Sequence, residues 1–247
     1  MPVSETIAIA FLFFVGAALY ASVGHGGASS YLAVMGLFSF TPAVMKPTAL
    51  ALNILVAAVA TVKFYRAGLF KWELFWPFAI ASIPAAFLGG ATTLPARGYK
   101  VLVGIVLFYA AVWMFRSSLR PVAREAKPPP FRAAIVSGVA IGFLSGLTGV
   151  GGGIFLSPLL LYMGWSETRT TSAVAAPFIL VNSISGLLGH FSSVAQLPQN
   201  IPVWGAAALL GGWIGASYGS KRAPTPVLRR LLSVVLIVAG AKLIFGV

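Results

Sequence analysis

The chain has 247 residues, 59% of them apolar and 9% charged, with 17 Lys and Arg against four Asp and Glu. A mean hydropathy of +0.95 excludes an ordinary soluble domain, whose apolar and charged fractions balance differently. The formal charge of +13 sits in short connections between apolar runs, so it reads as a membrane-topology signal and no nucleic-acid partner is expected.

In chain order, Ile7 to Val23, Leu74 to Gly90, Val101 to Phe115, Ala133 to Leu147, Val203 to Tyr218 and Leu231 to Val247 carry almost no charge. Each approaches the ~20 residues that a helix needs to cross about 30 Å of hydrocarbon. None alternates polar and apolar side chains as a barrel strand does, which predicts an all-α integral membrane protein. Residues 1–6 contain Glu5 and no Lys or Arg, unlike the basic start of a cleaved signal peptide, so the first run is expected to be retained. The absence of cysteine removes disulfides and thiolate chemistry.

Two glycine clusters punctuate this pattern. Gly24-His25-Gly26-Gly27 precedes the short apolar segment Ala28 to Phe40, and Gly149-Val150-Gly151-Gly152-Gly153 opens the equally short Gly153 to Trp165. At 1.5 Å per residue each segment reaches about 20 Å, too little for a straight span. The clusters lie 125 residues apart, and near that offset Trp76 matches Trp204 and Pro95 matches Pro224. The chain therefore divides into residues 1–116, a basic proline-rich linker 117–131, and residues 132–247, with about ten helical segments in two five-segment repeats.

Charge orients the repeats. The linker region carries Arg116, Arg120, Arg124, Lys127 and Arg132, and the positive-inside rule makes it cytoplasmic. Five crossings per half then place 13 of the 17 basic residues inside, leaving Lys46, Arg97, Lys100 and Lys242. The equivalent loops Lys63 to Glu73 and His190 to Ile201 fall on opposite faces, the first with three basic residues and the second with none. The two repeats are thus predicted to be inverted, the architecture that gives alternating access around a site at mid-membrane.

Glycine-interrupted segments at matching positions mark broken helices, whose restarting halves offer N–H groups and a positive dipole end to anions. The candidate binding residues are Gly24, His25, Gly26, Gly27, Ser29 and Ser30 in the first half, and Thr148, Gly149, Gly151, Gly152 and Gly153 in the second. Thr48 and Asn53, then Thr171, Ser172 and Asn182, follow on the next segments and add donors for an oxyanion. Ser22 and Ser145 lie close by. Glu5, Glu73, Glu125 and Glu167 all fall at segment ends or in loops, which disfavours cation-coordinating or carboxylate-relay chemistry. Lys46, Arg66 and Arg169 near the segment mouths either attract substrate or snorkel to the interface.

At the paired glycine motifs, with Ile154-Phe155-Leu156-Ser157-Pro158 and the Thr170 to Ala175 stretch after the second, the chain resembles the TauE/SafE sulfite exporter family over nearly its whole length. The first copy departs from the family pattern, with His25 and Ala28 in place of Val and Gly. The resemblance implies a bacterial or archaeal plasma-membrane carrier of sulfite, sulfoacetate or another sulfonate, without an ATP-hydrolysing domain or cofactor. The expected partners are that small anion and the lipid bilayer, with a coupling proton through His25 and a homodimer as open alternatives. A passive anion channel, and an intramembrane serine hydrolase built on Ser145 or Ser185 with His190, are the rival readings; Ser185 and His190 stand five residues apart and so not on one helix face, which argues against the latter.

Overall fold

The computed structural model describes residues 1–117, 126–191, 197–222 and 226–245. Arg120 and Arg124 of the predicted linker, and Pro224 of the repeat match, lie outside the described residues. Ten α-helices make up most of the described residues: α1 (Val3–Ala21), α2 (Ala28–Leu37), α3 (Pro42–Arg66), α4 (Trp72–Ala91), α5 (Ala96–Ser117), α6 (Phe131–Thr148), α7 (Gly153–Tyr162), α8 (Thr168–Gly189), α9 (Ile201–Gly219) and α10 (Pro226–Phe245).

Among the described residues, α1, α3, α4, α5, α6 and α8 are each long and apolar enough to cross a membrane. Helix α9 has 19 residues, five of them glycines. Those glycines serve packing. A Cβ at Gly211, Gly215 or Gly219 would overlap the backbone carbonyls of Phe14, Ala18 and Ser22, so α9 lies backbone to backbone on α1. Gly138, Gly142 and Gly146 do the same for α6 against Phe78, Ser82 and Ala86 of α4. Small residues four apart permit this close approach, which replaces the hydrophobic drive that lipid cannot supply.

The two short helices have 10 residues each, about 15 Å, or half a hydrocarbon core. Both are shorter than the segments expected from sequence, because Phe38 and Met163 cap them and the chain turns at once. Each starts from a glycine in the left-handed region, Gly27 at φ 98° and Gly152 at φ 84°, where a Cβ is disfavoured.

The connections gather at two ends. At one, Lys71, Glu73, Lys127, Trp165 and Glu167 line a common cavity of about 230 Å³, Lys127 N donates to Gly164 O, and Arg169 donates to Ser220 O. At the other, Lys46 reaches Thr92 O, Tyr99 reaches Thr148 O, His190 shares a cavity with Lys46 and Thr92, and Asn200 contacts Thr6. The connection after Phe64 is therefore at the linker end and the connection that starts at His190 is at the opposite end. Helices α3 and α8 cross the centre antiparallel and in mutual contact.

Packing partners exchange between the halves. Helix α1 packs on α9 as α6 packs on α4, α3 on α9 as α8 on α4, and α2 on α3 as α7 on α8.

Candidate functional site

Both glycine breaks climb to mid-depth, from opposite ends. Gly24 sits against the backbone of Ser172 in the first turns of α8, and Gly149 against the backbone of Lys46 in the first turns of α3. Farther in, Gly26 and Gly151 both meet Asn53 and Ile179, at the middles of α3 and α8. The breaks thus face each other across α3 and α8.

Asn53 joins them. It is fully buried, accepts the N–H of Ala28 at its Oδ1 (3.0 Å), and donates from Nδ2 to Val150 O (3.1 Å) and towards Ser183 Oγ (3.4 Å). One side chain therefore caps the first residue of α2 and holds a carbonyl of the other half's break. The cap takes up one of the N–H groups that a restarting helix otherwise leaves open. A second link crosses the halves beside it, where His25 Nε2 and Ser157 Oγ lie 2.8 Å apart.

The other sequence-predicted donors divide into two groups. Ser30 donates to Gly27 O, Thr148 to Leu144 O, Ser172 to Thr168 O and Asn182 Nδ2 to Phe178 O; these satisfy their own helices. By contrast Thr48 Oγ1, Thr171 Oγ1, Ser145 Oγ and Asn182 Oδ1 are buried without a hydrogen-bond partner, an uncommon state for buried polar atoms and one that a bound solute or water relieves. Ser29 is buried one residue into α2. His25, Ser157, Thr171 and Ser172 line a narrow cavity of about 40 Å³ that runs between the break and the α8 start.

The cations behave differently from one another. Arg66 is exposed at the end of α3, Arg169 donates from Nη2 to Ser220 O, and Lys46 is buried, its Nζ donating to Gly89 O, Gly90 O and Thr92 O. Ser185 gives its proton to Ile83 O at 2.6 Å, which leaves it unavailable to His190 as a nucleophile. Sequence reading missed Ser183 and Tyr99, and took Ser157 only as part of a motif; nothing in the sequence flags partners 49 to 132 residues away.

A helical bundle of membrane-spanning segments, broken twice at glycines that converge on its centre, is the build of a multi-pass membrane carrier. Comparison with known proteins agrees: residues 8–243 match the family model for the sulfite exporter TauE/SafE family, and the chain belongs to that family. It is 44% identical, over 98% of its length and 99% of the relative's, to probable membrane transporter protein y4hK of Sinorhizobium fredii. It is 27% identical, over 94% of its length and 96% of the relative's, to probable membrane transporter protein YjnA of Bacillus subtilis. Probable membrane transporter protein MJ0441 of Methanocaldococcus jannaschii aligns at 31% identity with 50% of the chain and 46% of the relative. No solved structure matches the chain significantly.

Proposed function

We propose that the protein is a secondary transporter of a small sulfur-containing anion, sulfite, sulfoacetate or another organosulfonate, across the bacterial plasma membrane by alternating access. The family description supports the substrate class. The observation that carries the mechanism is Asn53, fully buried, bonded at once to the first half's restarting helix and to the second half's break. Two breaks that enter from opposite ends and share one central residue are what two inverted repeats around a single mid-membrane site require. The exchange of packing partners between the halves supports the same inversion.

In this reading the linker end is cytoplasmic, since it gathers Lys71, Lys127 and Arg169, and the His190 end faces outward. The anion sits between the α2 and α7 starts, where the partial positive charge of each helix end meets it, with His25 and the unpartnered Thr171 hydroxyl on the route from the linker end and the Thr48 hydroxyl towards the other end. Opening alternates as α1–α9, carrying α3, shifts against α4–α6, carrying α8, which Gly90 and Gly189 lock onto α4. Those pairs move as units because their backbones interlock at glycine.

The test is flux. Proteoliposomes of the purified chain take up labelled sulfite or a sulfonate with saturation, and unlabelled anion on the far side accelerates it; absence of flux for every sulfur oxyanion contradicts the reading. Flux that never saturates and shows no counter-transport identifies a passive channel instead.

A further inference from the structure

We infer that the cavity at the His190 end is a second anion-binding site, distinct from the central one, in which Lys46 supplies the positive charge and His190 a polar contact to a small oxyanion. The inference rests on the transporter reading only for its place on the substrate's route; the site itself stands on geometry.

The cavity measures about 400 Å³ and is lined by Thr41, Lys46, Thr92, Thr93, Tyr99 and His190 among others. Lys46 is 4% exposed, and burying an ammonium is costly unless a counter-charge or full hydrogen bonding compensates it. Its three contacts are all to neutral carbonyls in and just past the last turn of α4. They satisfy the protons and, through the helix dipole, offset about half a charge; the remainder has no carboxylate among the described residues of the lining. Of the four acidic residues, Glu73 and Glu167 line the cavity at the opposite end.

The second observation is independent. His190 is 8% exposed and its Nε2 is buried with no hydrogen-bond partner, in a wall of the same cavity. An unpartnered imidazole nitrogen beside an ammonium whose charge is only half offset, with three threonines in the same lining, is the complement of a small oxyanion. The contact to Thr92 O, at 3.2 Å and beyond the end of the helix, is the one that an anion displaces: the carbonyl turns away and the freed N–H points to the guest. Lys46 also lies directly over Gly149, so a solute held here waits against the second break.

Purified full-length protein in detergent tests this with sulfite as the probe, read as the concentration giving half of the maximal rise in unfolding temperature. Lys46→Met is expected to raise that concentration about tenfold or more, the loss of one charged contact, while Lys46→Arg stays close to wild type. An unchanged half-saturating concentration in Lys46→Met overturns the site. Should Lys46→Met fail to fold, His190→Gln carries the test: a weaker but measurable loss supports the site and an unaltered value overturns it. The two readings fail separately. Sulfite binding that depends on Lys46 without any flux contradicts the transporter and keeps the site, whereas flux with binding indifferent to Lys46 keeps the transporter and removes the site.

Discussion

Two buried polar residues, Asn53 and His190, carry most of the account at the scale of single side chains. Removing Asn53 strands the Ala28 N–H and the Val150 carbonyl in the centre of the bundle. Each orphan costs about 1–3 kcal/mol, so Asn53→Ala is expected to lower stability by about 2–4 kcal/mol and to abolish saturable flux, read by thermal unfolding and by uptake. His190 titrates below its usual value of 6.5, first because it is buried and then because the Lys46 ammonium is near, while a hydrogen bond with the Gly90 backbone pulls the other way. The charged or titratable groups facing it are Lys46 from α3 and Tyr99 from α5, with Thr92, Thr93 and Leu147 completing the wall. An anion bound there favours the imidazolium and so raises the depressed value. Binding therefore takes up a proton and strengthens as pH falls through the folded-state value. Sulfate, a dianion throughout this range, is expected to stabilise the wild type at progressively lower concentration as pH falls towards the depressed folded-state value of His190, which lies below 6.5, and His190→Gln to lose that dependence. A flat wild-type profile contradicts the assignment.

For helices, glycine does two separate jobs, and the sequence shows one more clearly than the other. The clusters at Gly24 to Gly27 and Gly149 to Gly153 are legible because they interrupt apolar runs at matched positions, and the structure puts left-handed glycines at the start of both short helices. The packing glycines, Gly138, Gly142 and Gly146 or Gly211, Gly215 and Gly219, also stand four apart in sequence. Which helix each row meets is a tertiary fact that periodicity does not contain. Gly215→Val pushes a branched side chain into the Ala18 carbonyl and is expected to cost about 3 kcal/mol by overpacking, measurable as a drop in unfolding temperature. Gly98→Val, where the space is open, serves as the control with a far smaller change. Lys46 illustrates the opposite difficulty. A lysine in the second turn of a membrane helix reads as interfacial, and only the arrival of α4's last carbonyls beside it shows that it is buried. The cross-half bonds from His25 to Ser157 and from Asn53 to Val150 were likewise invisible, since they span 132 and 97 residues.

Over the whole molecule, hydropathy and charge asymmetry were enough to predict an all-helical membrane protein, and the glycine repeat was enough to locate its middle. What the sequence could not supply is the exchange of partners, α1 on α9 against α6 on α4, through which a repeat becomes a two-sided machine. All of this depends on the connections after α3 and after α8 lying on opposite faces of the bilayer. The chain has no cysteine, so one introduced thiol reports one position. Ala67 and Gln199 are both exposed, at the linker end and the His190 end respectively. With a membrane-impermeant maleimide applied to intact spheroplasts, Gln199→Cys is expected to label at once and Ala67→Cys only after the membrane is permeabilised; labelling of both from the same side contradicts the inverted arrangement.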